Sequence, residues 1–355
     1  MTPRYHGLDL ARAIAMLFGL PIHAALVIRD GEMRQLVLPG TRPDLIAAPW
    51  IDVFELWIHL WRMPLFFLLA GFFAAMTLER RGARAFLTDR AWRLGAVLVV
   101  FVLLFNVAFQ RPWGSLDHLW FLYVLVIVCV PVAAWHGAGL PIPRARAWWL
   151  LPAPLIVAAL AHVAKRGAFG HHRPLVPWEV DPLTFVWYAP FVVAGLTLWR
   201  GRDLLDALAR PLVWVPLLLI AHVAYAAALG SPSGGALRAL GSGMATLGLV
   251  LGFVGLALRV LRRASAWVDR ATAVAYPVYV LHLYPTMMAT ALVLAAGAGQ
   301  GVALWGGALA GLGAALALWA VLRRTPVARV FAPLSRRPGP APAPAAAGSG
   351  AAPPG

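Results

Sequence analysis

The sequence predicts an all-α protein, a polytopic membrane bundle of about ten transmembrane helices with both termini cytoplasmic. Three observations carry that expectation. Of 355 residues, 61% are hydrophobic and only 12% charged, with a mean hydropathy of +0.76. Soluble domains carry about 25% charged residues, and a water-facing protein of this composition would expose an apolar surface it has no means to cover. Apolar stretches recur along the chain, each close to the roughly 20 residues that a helix needs to cross hydrocarbon. The 30 basic residues fall unevenly between those stretches, as the positive-inside rule requires. The same composition excludes a disordered chain, a disulfide scaffold and an ordinary soluble enzyme. The single cysteine, Cys129, lies in an apolar run and can form no disulfide within the chain.

In chain order the apolar segments run over 8–28, 52–77, 94–110, 117–135, 148–164, 183–199, 211–230, 237–258, 272–294 and 301–322. The first holds Arg12 and lacks a small-residue cleavage site, so it reads as a membrane helix and not as a cleaved signal peptide. The 16 Trp and 29 Pro fit membrane helices and their interfaces. The N-terminus, the loops after even-numbered segments and the C-terminal stretch together hold 20 basic residues, against 7 in the loops after odd-numbered segments. Arg12, Arg62 and Arg238 lie inside segments. This asymmetry is the reason for placing both termini in the cytoplasm. It also explains the net charge of +16 without nucleic acid as a partner, because the arginines form no single patch. The expected partner on these grounds is the lipid bilayer, in a multi-pass arrangement.

Residues 1–325 read as one membrane domain and 326–355 as a basic, then Pro/Ala-rich, disordered cytoplasmic tail. From Pro338 onward that tail contains only Pro, Ala, Gly and Ser. No internal repeat supports an inverted-repeat transporter. The chain has no G-x-S-x-G, no G-x-x-x-x-G-K-[ST] and no H-E-x-x-H, so serine-hydrolase, nucleotide-hydrolase and metalloprotease readings lose support. His171 and His172 adjoin one another in a loop without Cys, Asp or Glu at ligand spacing, so no metal site is expected.

Chemistry must then come from polar residues inside the bundle, where an ionisable side chain is costly and marks a site by default. The first segment carries Arg12 and His23, about 16 Å apart along a helix axis, with Asp9 on the face of Arg12. Taken alone, Arg12 snorkelling to the interface and His23 hydrogen-bonded between helices remain open. The second segment carries Glu55, His59 and Arg62 at helical spacing, either a functional set or a ladder that neutralises itself. Counting rise per residue, His23 and His59 fall near 20 Å from the cytoplasmic boundary, and Arg62 and His282 near 15 Å. Arg90 and Arg93 form an i,i+3 guanidinium pair suited to phosphate or to a plain positive-inside cluster. Asp117-His118-Leu119-Trp120 opens the fourth segment at the outer face, where His118 and Asp117 can face an external acceptor, while Trp113 and Trp120 also fit a plain interfacial belt.

Several of these features occur together in an order with precedent. Arg12-x10-His23, the stretch W-I-H-L-W-R-M-P-L-F-F-L-L-A-G-F-F, Arg90-x-x-Arg93, H-L-W-F-L and Y-P-V-Y-V-L-H (Tyr276–His282) together resemble the acyltransferase 3 family of ten-helix membrane acyltransferases. Within it, the first two segments look most like the glucan-modifying MdoC/OpgC branch, whose members succinylate osmoregulated periplasmic glucans. The resemblance covers about residues 6–325. It implies an O-acyltransferase of the bacterial-type inner membrane with His23 catalytic, Glu55 and His59 beside it, and Arg12, Arg90 and Arg93 on the side of the donor. Acyl-CoA is the implied donor substrate, with no tightly bound cofactor, and the acceptor is a carbohydrate hydroxyl. Arg62, His118, Trp120, Tyr279 and His282 are the expected substrate contacts, Arg62 for the carboxylate of a succinyl donor. The acyl group is succinyl or acetyl. The alternatives are a transferase for a small hydroxylated metabolite and a membrane transporter or flippase using the same polar layer. Nothing in the sequence sets an oligomeric state.

Overall fold

The structure is a computed structural model that describes residues 5–150, 153–163, 182–232, 235–261, 263 and 265–331. Among these residues there is no strand. The helices are α1 (His6–Leu17), α2 (Gly19–Arg29), α3 (Gly31–Val37), α4 (Pro49–Arg90), α5 (Val97–Ala108), α6 (Trp120–Gly137) and α7 (Ala153–Val163). They continue with α8 (Pro182–Arg200), α9 (Leu204–Leu208), α10 (Pro211–Leu229), α11 (Ala236–Val260), α12 (Ala266–Leu281), α13 (Leu283–Ala295) and α14 (Gln300–Leu322).

Among the described residues seven helical tracts are long and apolar enough to cross a membrane, and eight if the bent pair α12–α13 counts as one span. This is fewer than the apolar segments for two physical reasons. The tract Pro49–Ala108 runs for 60 residues. At 1.5 Å per residue that is about 90 Å, some three times the hydrocarbon thickness of about 30 Å. It is interrupted at Gly82, whose φ of 75° and ψ of 171° are not helical, and so holds two of the expected segments, 52–77 and 94–110. The segment 148–164 is described only in part, as α7 and the 3-10 turn before it. Every apolar segment falls on helix wherever it is described.

Small residues set the closest helix crossings, as expected where the lipid offers no hydrophobic drive to pack. α4 lies on α8 with Gly71 against the carbonyl of Val192 and Gly195 against the carbonyl of Leu68, so neither position has room for a Cβ. Gly307 and Gly311 of α14 receive Thr290 and Thr286 of α13 in the same way. The perimeter is apolar: Leu212 is 90% exposed and Val223 71% on α10, and Leu309 is 67% exposed on α14. In water such a surface would be a liability; facing lipid tails it is the expected one.

The bundle extends past the expected boundary at 325. Pro326–Phe331 is a 3-10 helix, not the start of a disordered tail. Phe331 is buried against Phe101, Tyr276 and Trp319, with ring centroids 5.5, 5.5 and 5.2 Å away. Trp92 Nε1 donates to the Arg329 carbonyl at 3.2 Å. Two buried apolar residues in six, Val330 and Phe331, are enough to hold this segment under the bundle. Residues 332–355, the remainder of the expected tail, and the pair His171–His172 lie outside the described residues.

Arg34 lies in α3, beyond the end of the first span, and is a buried structural charge. Only 1% exposed, it donates from Nη1 to the carbonyls of Ile28 (2.8 Å) and Val27 (3.3 Å), and from Nη2 to that of Leu45 (3.2 Å). It thus satisfies the orphan carbonyls at the C-terminus of α2. Burial, reinforced by Arg42, pushes its pKa below the ordinary arginine value against the pull of Asp30.

Candidate active site

Two broken helices meet at the centre. The first span breaks at Phe18, between α1 and α2. The span α12–α13 bends by 73° at His282. A break frees backbone carbonyls that hydrocarbon cannot solvate, and ionisable side chains satisfy them here. Arg62 Nε donates to the Ala15 carbonyl at 2.9 Å. His282 Nδ1 donates to the Tyr279 carbonyl at 2.5 Å, and His118 Nε2 to the Val280 carbonyl at 3.0 Å. A carbonyl oxygen only accepts, so the proton of each contact sits on the imidazole, at Nε2 of His118 and Nδ1 of His282.

Three imidazoles gather around these breaks. The His23 ring centroid lies 5.1 Å from that of His282 and 6.1 Å from that of His118, which are themselves 5.3 Å apart. Tyr279 sits 5.5 Å from His118 and 5.3 Å from His282, and its hydroxyl donates to the His118 carbonyl. The Arg62 guanidinium lies 5.9 Å from the Tyr279 ring centroid. Gly19 makes this approach possible: a Cβ there would stand 2.8 Å from His282 Nε2 and 3.1 Å from Arg62 Nη2. No group of His, Cys, Asp or Glu among the described residues is arranged to hold a metal ion.

Two cavities adjoin these elements. One, of about 580 Å³, is bordered by His23, His59, Arg62, His118, Trp120 and Tyr279. The other, of about 890 Å³, is bordered by Arg12, Arg80, Arg90, Arg93 and Arg323 with Cys129 and Tyr276. The same elements line both. The first span gives Arg12 and Met16 to the arginine cavity, then Ile22 and His23 to the histidine cavity; α4 gives Phe66 to the former, and His59 and Arg62 to the latter. Phe121 packs edge-on against Phe66 (5.0 Å) and against Tyr279 (4.7 Å).

The residues singled out in the sequence sort unevenly. His23, Arg62, His118, Tyr279 and His282 come together, and of these His282 alone does not border the cavity, being wholly buried. His59 and Trp120 border it farther from the ring cluster; His59 Nδ1 donates to the Glu55 carbonyl at 2.9 Å, and Trp120 lies 5.4 Å from Tyr188. Glu55 borders neither cavity. It is 1% exposed and pairs with Arg29 at the end of α2. The expected ladder therefore divides, with Glu55 drawn to Arg29 and Arg62 to the first helix break. Arg12 pairs with Asp9 at 3.0 Å and Arg93 approaches Asp89 at 4.0 Å. Arg90 closes α4 and Arg93 stands in the π-helical turn Ala91–Ala96 that follows, a local irregularity frequent at functional sites.

The family of sequences described as an acyltransferase domain matches residues 5–324, nearly the whole described bundle. The chain belongs to the acyltransferase 3 family. It is similar to glucans biosynthesis protein C of Salmonella schwarzengrund, 25% identical over 247 residues, which are 59% of this chain and 62% of that relative. The proteins of the same name in Salmonella paratyphi B and Salmonella agona are each 24% identical over 245 residues, with the same coverage. The matched part of this chain thus spans about three-fifths of the length of these relatives. No solved structure matches the chain.

Seen as an acyltransferase, the bundle surrounds Asp117, which the sequence offers as facing an external acceptor, with residues that sequence reasoning passed over: Arg111, Tyr284, Trp187 and Tyr188. Asp117 accepts from the Tyr284 hydroxyl (2.7 Å), Arg111 Nη2 (3.2 Å) and Ser115 Oγ (3.2 Å), at a backbone φ of 41°. Tyr284 stacks on Phe109 with centroids 3.5 Å apart. Trp187 and Tyr188 add aromatic surface to the histidine cavity, and Arg80 and Arg323 add charge to the other. Arg80 was visible as one of a cluster of arginines; Tyr188 had no signal, since nothing local marks an aromatic residue as facing a cavity. The arrangement offers imidazole lone pairs and aromatic walls on one side and a guanidinium-rich chamber on the other. Imidazole is suited to proton transfer near neutral pH, and guanidinium forks are suited to binding anionic groups.

Proposed function

We propose that the protein is a membrane O-acyltransferase that moves a succinyl or acetyl group from acyl-CoA to a hydroxyl of a cell-envelope carbohydrate such as a periplasmic glucan. The observation that carries this reading is the pair of cavities, arginine-lined and histidine-lined, that the first span and α4 both border. Coenzyme A carries a pyrophosphate and a further phosphate, and guanidinium forks are the side chains best matched to them. The arginine chamber is taken as the cytoplasmic, donor-binding one, in keeping with the distribution of basic residues in the sequence. The long pantetheine arm then carries the thioester toward the polar layer. On the other side a sugar ring finds Trp120 and Tyr188 to lie against and polar groups at His118 and Asp117 to engage its hydroxyls.

In this reading His23 takes the proton from the acceptor hydroxyl as its oxygen attacks the thioester carbon. The C–S bond breaks, and the leaving thiolate recovers that proton. His282, buried behind His23, holds the ring in place. Arg62 meets the free carboxylate of a succinyl donor, which would otherwise be penalised in a medium of low dielectric. The names of the relatives support a glucan as the acceptor class.

The experiment is direct. Purified protein in lipid nanodiscs is given acetyl-CoA or succinyl-CoA with a periplasmic glucan, and free thiol and esterified glucan are followed together. Release of thiol matched by ester on the glucan is the expected result. Protein that is folded but yields neither with any acyl-CoA overturns the reading.

A further inference from the structure

In an unbroken helix the N–H groups of Leu283 and Tyr284 would bond to the carbonyls four residues back, those of Tyr279 and Val280. At the 73° bend those two carbonyls are instead taken by imidazoles, Tyr279 by His282 Nδ1 and Val280 by His118 Nε2. Two histidines thus stand in for two backbone donors and release them at the head of α13. Pro285 has no N–H and that of Thr286 already bonds to the His282 carbonyl at 2.9 Å, so the released pair is Leu283 and Tyr284. No side chain caps this end of α13, a helix of 13 residues. Both residues border the histidine cavity. A second observation points to a ligand at the same place. His118, 4% exposed and bordering that cavity, has a buried Nδ1 without a hydrogen-bond partner among the described residues. A lone pair buried in this way is a seat for an incoming hydroxyl.

We infer that the N–H groups of Leu283 and Tyr284 form the oxyanion site of the acyl transfer. The inference rests on the acyltransferase reading above and adds to it the donors that stabilise the transition state. As the acceptor oxygen bonds to the thioester carbon, the carbonyl electron pair moves onto oxygen. That oxygen receives the two N–H groups and the positive end of the α13 dipole, in a site that excludes water. When the tetrahedral species collapses the C=O bond reforms, the C–S bond breaks, and the coenzyme A thiolate takes up the proton that histidine removed from the hydroxyl. Broken membrane helices present their N-termini to anionic groups elsewhere for the same electrostatic reason.

The test exploits proline at the first two helical positions, where its ring is tolerated and its missing N–H removes only the donor in question. Leu283→Pro is compared with Leu283→Ala and Tyr284→Pro with Tyr284→Ala, each alanine truncating the side chain and keeping the N–H. Each is purified in nanodiscs, checked for a cooperative thermal melt, and assayed for kcat and for binding of a non-reactive thioether analogue of acyl-CoA. The loss of one oxyanion donor lowers kcat about 10²- to 10³-fold. Each proline variant is expected to fall by that factor below its comparator, with binding of the thioether unchanged. Two pairs keep the test open if one proline variant does not fold. Equal kcat in a folded proline variant and its comparator overturns this inference while leaving the acyltransferase reading standing. An absence of thiol release from the wild-type protein overturns both.

Discussion

Replacing Gly19 with alanine adds one methyl group at the point where the first helix break meets the second. The new Cβ would stand 2.8 Å from His282 Nε2, 3.3 Å from His282 Cε1 and 3.1 Å from Arg62 Nη2. Ordinary contact begins near 3.5 Å, so something must yield by about 0.7 Å. Neither neighbour is the loose end of a flexible chain. His282 is 0% exposed and held by its hydrogen bond to Tyr279, and Arg62 is held by its bond to Ala15. Overpacking of this kind costs about 1–3 kcal/mol. The loss of activity should be larger than that cost implies, because a displacement approaching 1 Å at a catalytic centre lowers the rate about 10²-fold. The assay is turnover and thermal melting of Gly19→Ala in nanodiscs, alone and in a His282→Ala background. Removing the imidazole deletes the nearest atoms, so the melting penalty of Gly19→Ala should shrink in that background. Wild-type turnover in Gly19→Ala, or a melting penalty identical in both backgrounds, would refute the claim that Gly19 sets the spacing of the site.

His23→Ala should lower turnover about 10²- to 10⁴-fold at equal membrane abundance, while a thioether analogue of acyl-CoA still binds; near-normal turnover removes His23 as the base. Arg90→Gln and Arg93→Gln should each raise the donor KM roughly tenfold or more, since a hydrogen bond to a charged group contributes about 1.5–3 kcal/mol. A response confined to the acceptor KM would place these arginines elsewhere in the reaction. Arg62→Leu should lower the ratio of succinyl to acetyl transfer, because both donors lose the bond that Arg62 makes to Ala15 but only one loses a partner for its carboxylate; an equal loss assigns Arg62 to the fold. A reporter enzyme fused after Gly355 should be active only on the cytoplasmic side, and activity confined to the periplasm would reverse the topology.

Much of the site could be read because helical rise is regular. Counting 1.5 Å per residue placed His23, His59, Arg62 and His282 in one layer, and the structure brings His23, Arg62 and His282 of these four together, with His59 bonded back to Glu55 of its own helix. The same counting said nothing about which charges pair across helices. Glu55, His59 and Arg62 share a face of α4, which invites a ladder. The partner of Glu55 is Arg29, which the sequence places just beyond a hydrophobic run, in a loop. The set around Asp117 was illegible for a related reason. It needs a positive φ at Asp117 and the bend that swings Tyr284 across, and neither leaves a mark on hydropathy.

The helix breaks are the deepest of these blind spots and also the reason for the site. Each half of α1–α2 and of α12–α13 is apolar, so a sliding window sees one continuous span. Only Gly19 and Pro21 at one break, and Pro277 and Pro285 near the other, hint at interruption. A break inside hydrocarbon exposes carbonyls that cost several kcal/mol each unless they are satisfied. Arg62, His118 and His282 satisfy them, and so the residues that look most like machinery are also those that make the backbone geometry possible. Substitution at any of the three should therefore cost stability and activity together, and a loss of turnover there says little alone. The ring of His23 lies against those of His118 and His282. Variants at Arg62, His118 and His282 are therefore probes of how far the two helix breaks depend on their side-chain caps, and they report on chemistry only where turnover falls further than the loss of stability implies.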